Sequence, residues 1–164
     1  RLVDALLAQR LRRNLLAEII VYSDASPDDT EKKLAKIKSP RLKVVTAKKR
    51  RGFAFGVKHL LRHTRSDVVV LLNDDIVIKD SGFLDLLTDP FQNGERVGLV
   101  GGRIEPLPSR SFWEEVARLN FVAVKRSFDS GKNRHHVLTC NGKVLAFSRQ
   151  FIRTLQYPKD LRLM

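Results

Sequence analysis

The sequence has few of the residues that mark cross-linked, zinc-stabilised or membrane-spanning proteins. It contains one cysteine, Cys140, which excludes an internal disulfide, and no Cys/His spacing resembles a structural zinc site. No stretch approaches the roughly 20 apolar residues that span a bilayer. The densest apolar run, Val68 to Leu72, has the length of a strand. We find no secretory signal, because the Arg-rich first residues lack a long apolar centre.

The sequence also contains fewer acidic residues than basic residues. The 18 Asp and Glu residues against 31 Lys and Arg leave a net charge of +13 at pH 7. This excess favours anionic partners such as phosphates, nucleic acid or acidic lipid headgroups, with a merely solvated basic surface as the alternative. With 43% hydrophobic and 30% charged residues, the 164-residue chain has the composition of one folded domain, and we expect a single domain over 1–164.

Short apolar runs alternate with segments of helical periodicity along the chain. The runs are rich in β-branched residues and too short for helices, so they predict buried strands at 18–22, 42–46, 67–72, 97–100 and 143–147. Helices are predicted at 2–16, 30–37, 53–63, 82–87, 111–126 and 150–155. This alternation implies an α/β fold with a mainly parallel sheet and helices on both faces. We expect the first three strands to be neighbours in that sheet.

Asn73, Asp74 and Asp75 directly follow the third predicted strand. Ligands of parallel sheets bind beyond the carboxyl ends of the strands. Carboxylates suit hard cations, and Mg²⁺ commonly joins one or two of them to substrate phosphates. The motif therefore indicates a site for Mg²⁺ or Mn²⁺, with a helix cap or turn as the alternative.

Two further segments are candidates for binding an anionic ligand. Asp24 follows the first predicted strand and can accept hydrogen bonds from a nucleobase or ribose, or it can cap the next helix, a role that Asp28 or Asp29 can also fill. The basic residues Lys48 to Arg51 precede Gly52 and a helix start, where backbone N–H groups favour anions. They are suited to a diphosphate or a membrane surface, or form a solvated loop.

The remaining histidines and the cysteine carry weaker signals. His59 and His63 lie four residues apart, a spacing that can bind metal, but no third ligand is evident, so we interpret them as surface residues. His135 and His136 are interpreted as loop residues, and Cys140 as a small buried side chain.

Three segments resemble family 2 inverting glycosyltransferases. EIIVYSDASPDDT resembles the second strand and following loop of that family, usually of the form EIIVVDDGSTDGT. RGFAFGVKHLLRHTRSDVVVLLNDD resembles the next block, in which a Gly-rich helix start leads to a strand ending in a D-x-D-like motif. CNGKVLAFSRQFI is more weakly similar to the segment before the catalytic base. The resemblance covers about residues 1–160.

This resemblance implies a GT-A fold, a nucleotide-diphosphate sugar donor, a divalent metal (Mg²⁺ or Mn²⁺) and inversion at the anomeric carbon. Carried over by position, Asp24 contacts the base, Asp75 holds the metal, and Asn73 or Asp74 reaches the ribose or donor sugar. Ser26 and Arg51 are assigned to the same nucleotide-sugar site. The nucleotide-sugar-binding part is expected over about 1–102 and the acceptor-side part over about 103–164.

The sequence departs from the family pattern at several positions. Asn73 replaces the first acid of the usual motif and loses its charge, while Lys58 and Leu60 stand where an Asn and a Gly are usual. The family's first strand is expected before Arg1 and its catalytic base beyond Met164, since Asp160 comes slightly too early. We therefore expect a domain incomplete at both ends and assign no catalytic base.

The expected partners are a UDP-sugar donor, a glycan or lipid-linked acceptor and an anionic membrane surface, with a cytoplasmic, peripheral location and no nucleic acid. Three alternative functions stay open. A sugar-phosphate nucleotidyltransferase would usually show a Gly-rich basic loop after its first strand. A basic nucleic-acid-binding domain fits the charge, but no matching motif is present. An inactive glycosyltransferase-like domain is compatible with Asn73.

Overall fold

The computed structural model describes residues 1–12, 18–92, 97–104, 111–112, 116 and 142–155. Within these residues, helices and strands alternate along the chain from the first helix to the fourth strand, as the sequence predicts. The helices are α1 (Leu2–Leu7), α2 (Thr30–Ala35), α3 (Phe53–His63), α4 (Phe83–Thr88) and α5 (Arg149–Thr154). The strands are β1 (Ile19–Ser23), β2 (Leu42–Thr46), β3 (Val68–Leu72), β4 (Leu99–Gly101) and β5 (Val144–Ser148).

The segment β1–α2–β2 is a parallel strand pair joined by a helical crossover. Its register places Ile19 opposite Leu42 and Ser23 opposite Thr46, so both strands end at the same edge. The N-cap residue of α2 is Asp29, and the Asp28 carboxylate accepts a hydrogen bond from the N–H of Thr30, the first residue of the helix, at 3.0 Å. The predicted α/β class and the parallel pairing of these two strands are confirmed.

The other three strands form a separate antiparallel sheet in the order β3–β5–β4. Val68 lies opposite Ser148 and Leu72 opposite Val144, so the carboxyl end of β3 meets the start of β5. The prediction that β1, β2 and β3 are neighbouring strands is therefore wrong for β3. An unbroken apolar run predicts a strand, but it does not identify the neighbouring strand. β5, the central strand, buries Val144, Ala146 and Phe147 almost completely.

The hydrophobic core is centred on β5. Leu87 of α4 packs with Val144 and Ala146, which are 1% and 0% exposed. Gly102 permits this close packing, because a Cβ atom there would lie 2.3 Å from Cγ1 of Val144, nearer than any van der Waals contact. Position 102 consequently has no room for a larger residue.

The predicted elements that fall within the described residues match the observed ones to within two residues, with one exception. The helix predicted over 2–16 ends at Leu7. The chain beyond it instead contacts the start of α4: the Gln9 side chain accepts from the Leu84 N–H and donates to the Asp80 carbonyl, and Arg12 pairs with the buried Asp85. These contacts replace the helical hydrogen bonds.

Several sequence predictions lie outside the described residues. They are the helix at 111–126, apart from positions 111–112 and 116, and the residues His135, His136, Cys140 and Asp160. Of the helices that the structure describes, none is long and apolar enough to cross a membrane.

Candidate functional site

Asp24 connects the carboxyl end of β1 to the start of α3. Its Oδ1 accepts a hydrogen bond from the backbone N–H of Arg51, and its Oδ2 accepts one from that of Gly52, both at 2.8 Å. Gly52 has φ 87°, a left-handed conformation that favours glycine. The N-cap residue of α2 is Asp29, and the Asp24 carboxylate is instead hydrogen-bonded to the start of α3. Asp24 therefore holds the loop that carries the basic residues against β1.

The surroundings of Asp24 keep its carboxyl ionised. Burial acts to raise its pKa, but the hydrogen bonds from Arg51 and Gly52 outweigh burial and hold the pKa below its ordinary value. The Tyr22 hydroxyl lies 3.4 Å from Oδ1 of Asp24, at the long limit of a hydrogen bond. Burial and then the charge of Asp24 raise the pKa of the Tyr22 phenol, so Tyr22 stays protonated and acts as a donor.

The loop after Asp24 is fixed by its own contacts. Ala25 has φ 54°, a left-handed conformation that a side chain disfavours. The buried Ser23 donates its hydroxyl to Glu31 at 3.0 Å, and its Oγ lies 3.4 Å from that of Ser26. Asp24 and Ser26 thus follow β1 in one short, hydrogen-bonded turn.

Arg51 makes contacts in two directions. Its backbone N–H donates to Asp24, while its guanidinium carbon lies 4.8 Å from the ring centroid of Phe55, within the range of a cation–π contact. Lys48, Lys49 and Arg50 before it are exposed.

A second polar group lies at the carboxyl end of β3. The Asn73 N–H donates to the Lys143 carbonyl at 3.0 Å, which continues the β3–β5 ladder past the last strand residue. The Lys143 ammonium forms an ion pair with the carboxylate of Asp75. Asp74 and Asp75 are both exposed. The antiparallel register therefore places a lysine beside the predicted metal ligand.

The structure thus groups the predicted site residues in two clusters. Asp24, Ser26 and Arg51 belong to the first, and Asn73, Asp74 and Asp75 to the second. Because β1 and β3 lie in separate sheets, strand pairing does not join the clusters. That Asp24 and Asp75 line one pocket stays a prediction.

Sequence reasoning missed two members of these clusters. The sequence pattern indicates Lys143 only as the first residue of a strand and Tyr22 only as the last residue of one. Lys143 directly precedes β5, and the pairing of β5 with β3 places it at the carboxyl end of β3. Lys143 could therefore have been recognised as a neighbour of the Asp75 cluster only if this pairing were known. The alternation within β1, which places residues 22 and 24 on the same face, could have indicated Tyr22.

Comparison with known proteins identifies the family. The family model described as Glycosyl transferase family 2 matches residues 1–155. The chain belongs to this family. A search of curated proteins gives no match.

Solved structures share the fold of this chain. The mannosyltransferase PcManGT from Pyrobaculum calidifontis, solved with GDP-Man and Mn²⁺, is 22% identical and matches 96% of this chain with a TM-score of 0.67. A mycobacterial protein is 25% identical over 91% of this chain, with a TM-score of 0.59. Glucosyl-3-phosphoglycerate synthase from Mycobacterium tuberculosis, solved with UDP, is 25% identical over 80%, with a TM-score of 0.52. The predicted GT-A fold is confirmed.

This family 2 chain spans less than half the length of those structures, since the matches cover 43%, 48% and 45% of them. The divalent metal that the family resemblance implies would need oxygen ligands at the end of β3. Asp75 supplies one exposed carboxylate there, and the described residues contain no group of three or more His, Cys, Asp or Glu side chains that could hold a metal. This donor set fits a cation that completes its coordination with substrate phosphates and water.

Proposed function

We propose that this chain is the nucleotide-sugar-binding part of an enzyme that transfers a sugar from a nucleotide-diphosphate sugar to an acceptor hydroxyl with inversion. The observation that carries the proposal is the hydrogen-bonded Asp24 cluster after β1, within a family 2 chain that also has carboxylates after β3. In α/β folds, strand ends of this kind are the usual place for a nucleotide.

Asp24 has the role of binding the base or ribose of the donor. A carboxylate offers about four acceptor positions, and the two short hydrogen bonds from Arg51 and Gly52 use only part of this capacity. The same hydrogen bonds fix the carboxylate in place before a ligand arrives, which lowers the entropy lost on binding. We assign Ser26 to the same site because it belongs to the same turn.

Asp75 has the role of metal ligand, and Asn73 and Asp74 that of contacting the ribose or sugar. When bound, Mg²⁺ or Mn²⁺ would neutralise the charge that develops on the departing diphosphate. Asp75 is paired with Lys143, so it must exchange this partner for the cation. Both side chains are about half exposed, at 52% and 46%, and such a pair is weak enough to open readily.

The donor is proposed to be a UDP-sugar or a GDP-sugar. Two structures of the same fold support this proposal, because one was solved with GDP-Man and the other with UDP. A glycan or lipid-linked molecule is the proposed acceptor, and a cytoplasmic, membrane-peripheral location is proposed because of the net charge of +13.

Isothermal titration with UDP and GDP, each with Mn²⁺ and with EDTA, tests the donor site. We expect Asp24→Ala to weaken the nucleotide under both conditions and Asp75→Ala to remove only the metal-dependent part. If each carboxylate contact contributes about 1.5–3 kcal/mol, each loss is roughly ten- to a hundredfold. Asp67→Ala, at the opposite end of β3, is the matched control and should change neither affinity.

A longer chain that also includes the neighbouring parts of the domain is the decisive sample for this titration. Failure of that chain to bind either nucleotide, with or without metal, would overturn the donor-site assignment. Equal losses for Asp67→Ala and Asp75→Ala would show a general effect of charge and not a metal ligand.

A further inference from the structure

Two of the four histidines lie side by side on α3. His59 and His63 are four residues apart, so their side chains extend from the same face of the helix. Their ring centroids are 4.1 Å apart, with an interplanar angle of 26°. His63 is exposed and His59 is partly buried. Two imidazoles are therefore held together where a small ligand can reach them from solvent.

The backbone determines which nitrogen of the His63 ring carries the proton. Nδ1 of His63 lies 2.7 Å from the carbonyl oxygen of His59. A carbonyl oxygen only accepts hydrogen bonds, so Nδ1 is the donor and holds the proton. In the neutral ring, Nε2 then has a free lone pair. Histidines that bind metals usually donate their other N–H to a backbone carbonyl, a carboxylate or water in this way.

Aromatic neighbours hold the ring of His59. The Tyr22 ring lies 5.3 Å from it, and the Phe55 ring lies 6.1 Å from it with an interplanar angle of 24°. In either tautomer, a neutral imidazole has one nitrogen with a free lone pair. Because these neighbours restrict the side chain before any ligand binds, little conformational freedom is lost on binding.

The separation of the two rings matches a single cation bound by both. Zn–N bonds are about 2.0–2.1 Å long, so two nitrogens that share one cation lie at most about 4.2 Å apart. The centroid separation of 4.1 Å is of this size, and rotation of a histidine ring about χ2 costs little. Helical zinc sites use the same spacing of four residues between two histidines. Both imidazoles can thus reach one cation without movement of the backbone.

The position on the helix also favours a cation. His63 is the last residue of α3, and the backbone dipoles give the carboxyl end of a helix a partial negative charge. Lys58 and the exposed Arg62 lie on the same helix and repel a cation. Solvent and salt weaken this repulsion, whereas a nitrogen–metal bond is short and directional. The pair therefore selects ions that bind nitrogen strongly.

We propose that His59 and His63 bind one divalent transition-metal cation of the group formed by Zn²⁺, Ni²⁺ and Cu²⁺. Imidazole suits these ions, whereas Mg²⁺ and Mn²⁺ prefer oxygen ligands. The part of the chain that the structure describes adds no third His, Cys, Asp or Glu ligand, so water fills the remaining positions. Leu60 stands where helical zinc proteases carry their glutamate base, so the site binds a metal without that base. It differs from the proposed donor site in both its residues and its metal.

Zn²⁺ is the probe, titrated at neutral pH into the ¹⁵N-labelled 164-residue chain and followed by the ¹⁵N shifts of the histidine rings. We expect Nε2 of His63 to change its shift on binding, while Nδ1 keeps its proton. One ring nitrogen of His59 should shift at the same Zn²⁺ concentration, because one cation binds both rings. Mg²⁺ in large excess should leave these signals in place.

Substitutions distinguish a shared cation from two separate imidazoles. His59→Gln and His63→Gln each leave one ligand, so either variant should weaken Zn²⁺ by at least roughly tenfold, and the double variant should weaken it little further. His135→Gln with His136→Gln removes the same number of imidazoles and is the matched control. This control and Asp75→Ala should leave the Zn²⁺ affinity of the pair unchanged. Dispersed amide spectra of all the variants establish that they are folded.

Three results would overturn the proposal. One is a loss of affinity in the His135/His136 control as large as that in the His59/His63 double variant, which would place the metal elsewhere. A second is an unchanged Zn²⁺ affinity of the remaining ring in each single variant, which would mean that the imidazoles act separately. The third is displacement of Zn²⁺ from the ring signals by Mg²⁺, which would mean that oxygen ligands hold the cation.

Discussion

Asp75 and Lys143 form an ion pair between the end of β3 and the start of β5. The pair follows from the antiparallel register, which brings Leu72 opposite Val144 and joins the backbones of Asn73 and Lys143. The proposed metal ligand therefore has a positively charged neighbour. If Asp75 holds the metal as proposed, Lys143 and a divalent cation would compete for the same carboxylate.

This competition predicts that Lys143→Gln raises the affinity for Mn²⁺. A half-exposed ion pair contributes up to about 1 kcal/mol, so its removal should strengthen Mn²⁺ binding by no more than roughly fivefold. Titration of Mn²⁺ alone, followed by electron paramagnetic resonance, measures the change. Lys79→Gln removes an equal charge beyond the same strand and should have a smaller effect. Identical affinities for the two variants would mean that the pair does not oppose the metal.

Protonation of the Asp24 carboxyl should destabilise the fold at low pH. The pKa of Asp24 is lower in the folded chain than its ordinary value of 3.8, so folding favours the ionised carboxyl. The ionised carboxyl therefore stabilises the folded chain above pH 3.8. This stabilisation is lost as the pH falls through the lower pKa of the folded chain. The amide shifts of Arg51 and Gly52 should therefore titrate with a midpoint below 3.8. Asp24→Asn should abolish this titration and destabilise the chain at neutral pH. A midpoint at or above 3.8 would contradict the assignment.

The local elements could be predicted well because their signals lie within a few residues. α3 has its predicted bounds, since the apolar periodicity begins after Gly52 and stops at His63. The strands could be recognised from short β-branched runs, although β2 is not buried as predicted, since Val44 is 39% exposed. The helix predicted over 2–16 was too long because the distant residues Asp80 and Leu84 bind Gln9, and no local pattern reveals such contacts.

Strand order and the contacts of the site could not be predicted in the same way. The partner of β3 is β5, which lies far along the chain, and apolar character does not distinguish it from β1. The carboxylate of Asp24 was recognisable as a functional candidate, but its donors are backbone N–H groups, which every residue except proline carries. The pairing of Asp75 with Lys143 depends on the β3–β5 register and was missed for that reason.

The exposed basic residues before α3 and the exposed aromatic residue at its start predict binding to anionic membranes. Lys48 to Arg51 precede Phe53, whose side chain is 59% exposed. Each basic residue near an anionic surface contributes about 1 kcal/mol, and an exposed aromatic ring adds apolar contact at the headgroup level. Sedimentation with phosphatidylserine vesicles should show binding at low salt that weakens at physiological salt. Equal, negligible binding to neutral and anionic vesicles at low salt would contradict this prediction.

Replacing alanine by glycine should change the stability of the chain in opposite directions at position 25 and within a helix. The φ of Ala25, 54°, is disfavoured for a residue with a Cβ atom, by about 1–2 kcal/mol, whereas the family pattern EIIVVDDGSTDGT has glycine at this position. Glycine also makes the unfolded chain more flexible, which offsets about 0.4–1 kcal/mol of the relief. We therefore expect Ala25→Gly to raise the free energy of unfolding by up to about 1.5 kcal/mol.

The control is Ala54→Gly in α3, where helical backbone geometry makes glycine about 1 kcal/mol less favourable than alanine. Urea denaturation of the two variants should therefore give midpoints shifted in opposite directions, with unchanged slopes. Ala25→Val provides a third point, because a β-branched side chain tolerates positive φ poorly and should lower the midpoint. A lower midpoint for Ala25→Gly would show that the turn between Asp24 and Ser26 stores no strain in the folded chain.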